Sequence, residues 1–185
     1  MNIFVLSGDS QEAARMQCDK HVPKMLLEAT QMLCNGVPEE LRSLASNTKL
    51  REGAGVYKLA HKNHPCSLWA VQTRGNWIWL LNHAWGLLEE YKFRYDNKYH
   101  KCEEMLVWLD EHERHITDAF KNAQTIITPF AQAMPDSYKS ADPVHSYRRF
   151  YRELKTFAKY EKGRSEPSWW NQYSTSTSSP VIEIT

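Results

Sequence analysis

The chain has 185 residues, with 23 Lys and Arg against 22 Asp and Glu for a net charge of +1. That length suits one domain, or one domain with a tail, and is enough to bury a sizeable core. A charge so close to zero gives no global attraction to nucleic acid or membrane, so any such partner must be met by a local patch.

No apolar run approaches the ~20 residues that a membrane span needs, and no membrane partner is expected. Met1-Asn2-Ile3-Phe4-Val5-Leu6 has no basic stretch before it and is too short for a secretory signal. Cys18, Cys34, Cys66 and Cys102 show no C-x-x-C spacing, which fits a cytoplasmic protein with reduced thiols. Seven Trp and nine Tyr are many for this length; they can fill a core or form stacking surfaces.

Residues 2–6 read as a short extended, β-like run ended by Ser7-Gly8-Asp9-Ser10, with Ser10 a possible cap for a helix over 11–17. Pro23 then starts or kinks a helix near 21–23 that stops at Asn35-Gly36. On that helix Met25, Ala29 and Met32, beside Leu26 and Leu33, form one apolar stripe. His21, Lys24, Glu28 and Gln31 recur at i, i+3, i+7 and i+10 and form a polar one. The polar stripe is either a solvated face or a site. Residues 36–63 read as loop, with one extended piece over 56–59.

His64-Pro65 predicts a helix start with proline in its first turn, leading to Trp69. The longest periodic stretch runs from Asn76 to Tyr95. Its wide apolar arc, including Ile78, Leu81, Trp85 and Leu88, predicts the central core helix. A further helix is expected over about 98–115. Residues 124–143, with Pro129, Pro135 and Pro143, read as irregular. A last helix is expected over about 143–162, followed by Trp169, Trp170 and Tyr173. The Ser/Thr-rich run 174–179 reads as a linker, so the domain is placed at 1–173 and a flexible tail at 174–185. The expectation is a compact, mainly α, single-domain helical bundle with a short N-terminal extended segment and long loops.

Three constellations could carry chemistry. From Arg148 to Arg164 there are seven Lys and Arg against Glu153 and Glu161. Arg148, Arg149, Arg152, Lys155 and Lys159, with Trp169 and Trp170, would suit a phosphate backbone and unstacked bases. The alternative is a solvated helix face with the Trp pair packed on the core. The second is a scattered Cys/His set: Cys18-x-x-His21, His61-x-x-His64-x-Cys66, His100-x-Cys102 and His112-x-x-His115. It lacks the sharp spacing of a zinc site, so no metal and no cofactor is expected, and core histidines with inert thiols are the plainer account. The third is Glu28 with Lys24 one turn away and His21 two turns away. This set can perform acid/base work or stabilise a developing cation. No P-loop, G-x-G-x-x-G or G-x-S-x-G is present.

Cys18-Asp19-Lys20-His21-Val22 through Leu27-Glu28, His64-Pro65-Cys66 to Trp69, and Met134-Pro135-Asp136 to Trp169-Trp170 resemble segments shared by a group of phage proteins. The chain also resembles, remotely, the phage pyrimidine-dimer DNA glycosylase (endonuclease V) family. Asp19, His21 and Glu28 follow that family's D-x-H-x6-E helix. His64-Pro65 through Trp69 and on to Leu88-Glu89-Glu90-Tyr91 and Arg94-Tyr95 follow its central segment. Met134-Pro135-Asp136-Ser137-Tyr138-Lys139 and Pro167-Ser168-Trp169-Trp170 follow its ending.

The resemblance implies an all-α fold that acts on DNA in the infected host cell. It implies a base-processing glycosylase and abasic-site lyase in which an N-terminal amine attacks the sugar and Glu28 stabilises the cation, with His21 and Lys24 as helpers. Met1 precedes Asn2, a poor context for removal of the methionine, so the nucleophile would be the amine of Met1 itself or would be absent. Leu27 and Gln31 stand where the family has phosphate-binding arginines. His64, Trp69 and Asn76 are expected to line a pocket. The alternatives are a non-catalytic protein that binds nucleic acid or a host protein on the same scaffold, and a nucleotide or base-modification enzyme. The oligomeric state is left open.

Overall fold

The computed structural model describes residues 1–45 and 55–171; the expected tail, 174–185, lies outside the described residues. Among them the fold is all-α, with eight helices and no strand. In order these are α1 (Ser10–Arg15), α2 (His21–Cys34), α3 (Glu39–Ala45), α4 (Pro65–Ala70), α5 (Arg74–Arg94), α6 (Glu103–Glu111), α7 (Glu113–Asp118) and α8 (Pro143–Leu154). A 3-10 turn, Asp136–Tyr138, precedes α8. No helix among the described residues is long and apolar enough to cross a membrane.

Helix α5 is buried on nearly every side, with Trp77, Leu80, Leu87 and Leu88 at its centre. Helices α1 and α2 make the most extensive packing against it. Gly86 permits the approach of α1, because a Cβ there would meet Ala14 at 3.0 Å. Helix α2 turns Met25, Leu26, Ala29, Met32 and Leu33 inward, as its apolar stripe predicts. Thr73 caps α5 by accepting from the Asn76 N–H, and His64 caps α4 with Pro65 in the first turn. Asp9, rather than Ser10, caps α1; its carboxylate accepts from the Glu12 N–H at 2.7 Å.

Four local expectations change. Residues 2–6 are not a strand: they turn at Asn2 and Phe4 (φ 45°) and thread the core with no partner strand among the described residues. Ile3, Phe4, Val5 and Leu6 are all buried. Side chains take their carbonyls instead: Gln17 donates to Ile3 O at 3.3 Å and Arg148 Nε to Leu6 O at 2.8 Å. Within the expected loop 36–63, α3 forms behind Pro38, whose carbonyl accepts from Leu41 and Arg42. The helix expected over 98–115 starts only at Glu103 and breaks at His112, whose ring stacks on Trp108 at 4.3 Å. Helix α8 ends at Leu154, not near 162. The backbone beyond it serves Asp19: Lys159 O accepts from the Asp19 N–H at 3.0 Å, and the Glu161 N–H donates to Asp19 Oδ2 at 2.7 Å.

Candidate active site

The N-terminal segment ends its passage through the core against α2. There the Asn2 N–H donates to Glu28 Oε2 at 2.8 Å, and the Met1 amine lies 3.8 Å from the same oxygen. The Met1 side chain is 2% exposed while the residue as a whole is only half-buried, so what it shows to solvent is its main-chain end. The Ser67 hydroxyl donates to Met1 Sδ at 3.4 Å and helps to seat that side chain. Asn2 fixes the turn behind the amine. Its Oδ1 accepts from Ile3 N at 2.8 Å and Phe4 N at 3.0 Å, and its Nδ2 donates to Ala133 O at 2.8 Å. Phe4 has φ 45°, an uncommon conformation for a bulky residue, held by this Asn2 turn and by burial.

Glu28 is 16% exposed and has a second cation beside it: Lys24 Nζ lies 3.8 Å from Oε1 and is itself mostly exposed. His64 is near both members of the amine–carboxylate pair. Burial, the N-terminal charge and His61 lower its pKa, and Glu28 opposes them. Its Nδ1 accepts from the Cys66 N–H at 3.2 Å, so the neutral ring carries its proton on Nε2. The Met1 amine and the Glu28 carboxylate therefore lie together, with the neutral His64 ring within reach of their charge.

The other expected site residues divide. His21 lies on the buried side of α2, not on a solvated stripe. It stacks on Phe4 at 4.8 Å, meets Tyr151 and Phe157 edge-on, and makes no hydrogen bond or ion pair to Glu28. Its Nδ1 has no partner. Burial, then Lys155, Lys24 and Lys20, push its pKa down to about 3. Asn76 is fully buried rather than a pocket wall: it donates to Trp69 O and Thr128 Oγ1 and accepts from the Thr128 N–H, each at 2.8 Å. Trp69 lines an open cleft of about 890 Å³ with Asn35, Leu68, Gln72 and Phe120. Its ring is 4% exposed and packs on Trp79 and Phe130.

The basic-aromatic surface survives only in part. Trp169 is 3% exposed and donates to Met16 Sδ, so the first of the Trp pair is core and cannot stack on a base. Trp170 is half-buried against Tyr151 and Tyr160. Arg148 is spent on Leu6 O and the Trp169 ring. Arg149 stays exposed over Tyr138 and beside Glu153, and Arg152 also reaches Glu153. Lys159 pairs with Glu161 at 3.1 Å. Lys155 lies 4.7 Å from the Phe150 ring centre and 5.4 Å from that of Phe4. Burial and the charge of Lys24 lower its pKa; the His21 and Tyr151 rings, 5.1 Å apart, bring the end of α8 beside the start of α2.

All four cysteines are buried and unpaired, and among the described residues no group of three or more His, Cys, Asp and Glu is placed to hold a metal ion. Sequence reasoning missed Asn2 and Ser67, because neither belongs to any local pattern. No protein family, curated protein or solved structure matches this chain.

Proposed function

We propose that the protein is a phage DNA-acting enzyme with glycosylase and abasic-site lyase chemistry. The observation that carries this reading is the Met1 amine held 3.8 Å from Glu28 with its own side chain buried. The amine attacks C1′ of a deoxyribose. The electron pair of the glycosidic bond leaves with the base, which takes up a proton, and the amine gives up one; the C1′–O4′ bond then breaks, O4′ is protonated, and the ring-opened sugar is left as the Schiff base. Glu28 stabilises the cationic sugar, Lys24 offers a charge to a flanking phosphate, and His64 is the neutral group that can take the proton. His21 acts as a positioning residue: it seats Phe4, and with it the turn that holds the amine. Arg149, Arg152 and Lys155 extend the basic face along α8.

Borohydride reduction in the presence of an abasic-site duplex tests this. The expected outcome is a covalent protein–DNA band that maps to the N-terminal peptide. Glu28→Gln should diminish it by about a hundredfold while the helical circular dichroism stays unchanged. No adduct, at protein concentrations that saturate the DNA, would overturn the proposal. A non-catalytic reading of the same scaffold is favoured by one observation: Glu28 is already engaged by Asn2, Met1 and Lys24, as an anchor for a chain terminus would be. DNA binding without any adduct selects that reading.

A further inference from the structure

Thr125, Ile126, Ile127 and Thr128 are all β-branched, the residue type that favours strands. They cross the start of α5, and alternate residues turn their main chain inward. Gly75 N donates to Gln124 O at 3.1 Å, the Thr73 hydroxyl to Ile126 O at 2.8 Å, and Trp69 Nε1 to Thr128 O at 3.3 Å. The Thr128 N–H donates to Asn76 Oδ1 at 2.8 Å. That is the alternation of a strand with one edge taken. The other edge is open. The N–H groups of Thr125 and Ile127, and the carbonyls of Ile127 and Pro129, make no hydrogen bond to any described residue. Ile126 and Ile127 are 54% and 51% exposed.

A second copy of the same segment fits this edge group for group. In an antiparallel pair with its two-fold axis at Ile127, the two Ile127 residues exchange both of their bonds, and each Thr125 N–H reaches the Pro129 carbonyl of the other copy. The one bond this register leaves out would run from the Pro129 nitrogen to Thr125 O. The first has no hydrogen, and the second rests against α5, where a Cβ on Gly75 would lie 2.5 Å from it. Charge agrees with the pairing. From Asn122 to Pro135 there is no charged residue, so two copies meet without like-charge repulsion, and the lysines that usually guard an exposed edge are missing. A ribbon of a few hydrogen bonds needs apolar area beside it. Pro129 and Ala131 lead into the cleft of about 890 Å³, where Leu68 is 53% exposed beside Phe120. We infer that the edge 125–129 is an interface between two copies of this chain, joined as a two-stranded antiparallel ribbon.

Sedimentation of the full chain over a range of concentrations tests the inference. The parent should show a monomer–dimer equilibrium with a Kd on the order of 10 μM. Ile127→Lys sets two ammoniums opposite each other at the axis and should weaken the dimer by about tenfold or more. Its helical circular dichroism should stay unchanged, because Ile127 is half exposed and bonds nothing in its own fold. Ile127→Cys should close a disulfide between copies under mild oxidation. Residues directly opposite in such a pair have Cα atoms about 5.5 Å apart, within disulfide reach. Lys121→Cys, six residues away, should not, and the four native cysteines are buried. A parent that stays monomeric up to about 1 mM overturns the inference. So does a dimer that Ile127→Lys leaves within about twofold of the parent. A monomeric parent that binds a synthetic Thr-Val repeat peptide would overturn the second copy and give the edge to an extended segment of another protein. The borohydride result has no bearing on any of these outcomes.

Discussion

Burial of an imidazole with an orphaned nitrogen leaves a mark on the pH dependence of folding. His21 is 4% exposed among Phe4, Tyr151 and Phe157, and its folded pKa falls to about 3 from an ordinary 6.5. The folded state therefore holds fewer protons than the unfolded state between these values. Stability from this residue is complete above pH ~6.5 and is lost as the pH falls towards ~3. His83 behaves in the same sense: burial lowers it to about 4 against the hydrogen bonds it makes with Ser10 and Ile3. Each histidine contributes about 1.4 kcal/mol per pH unit to the acid limb. His21→Phe keeps a ring in the slot and removes the titration. Urea unfolding between pH 4 and 7 should show the slope reduced by about one proton, and an unchanged slope would mean that His21 is not buried neutral. The position also corrects the polar-stripe reading at its own scale. His21, Lys24 and Glu28 share a helical spacing, but Phe4 arrives from a segment remote in sequence and covers one of the three.

At the scale of elements, the readable ones were those whose pattern is local and long. Helices α2 and α5 follow from apolar periodicity and end signals, and α4 from His64-Pro65. What escaped was decided by distant partners. Past the end of α8 the backbone of 159–161 is taken up by Asp19, and residues 2–6 have no strand beside them among the described residues. The segment 124–128 is irregular, as its sequence predicts, but its place is not legible there: it is clipped across the start of α5. Gly75 N donates to Gln124 O at 3.1 Å, the Thr73 hydroxyl to Ile126 O at 2.8 Å, and Asn76 exchanges two bonds with Thr128. Gly75 is the enabling residue, because a Cβ there would collide with the Ile126 carbonyl and lie 2.5 Å from Thr125 O. Gly75→Ala should cost about 2 kcal/mol through this overpacking. Limited proteolysis should then cut at 122–128 faster than in the parent, before global unfolding; equal cutting rates would show that the clip yields without penalty.

Across the whole molecule, the same distinction separates the two halves of the site. Glu28 was legible from its helix, but its amine partner and the Asn2 turn are contacts between remote segments. The resemblance singled out Asp19, Glu90 and Arg94 as motif residues, and they prove to be the clamp that joins those segments. The Arg94 guanidinium is 0% exposed. It donates to Asp19 Oδ1 at 3.0 Å, Glu90 Oε2 at 2.9 Å, and the carbonyls of Gln17 and Arg15. Arg164 closes the set on Glu90 at 2.7 Å and brings the C-terminal segment with it. Arg15 Nε adds a longer contact, 3.9 Å from Glu90 Oε1, so two carboxylates face three guanidiniums beside the start of α2. Burial alone would raise the Glu90 pKa, but the hydrogen bonds from Arg164 and Arg94 outweigh it and hold the carboxyl below its usual range. Its contribution to stability is present above pH ~4.5 and is lost on acidification. Arg94→Met leaves Asp19 without its guanidinium and Glu90 with Arg164 and the more distant Arg15, and should cost about 3 kcal/mol at pH 7. Arg164→Met should cost less, about 1 kcal/mol, because that side chain is 31% exposed and Arg94 still serves Glu90. The pH dependence makes the test specific. In the Arg94 variant Glu90 loses one of the hydrogen bonds that hold its carboxyl low and protonates more readily, so the deficit against the parent should shrink between pH 7 and pH 4. A deficit that stays constant over that range would assign the loss to packing and not to charge.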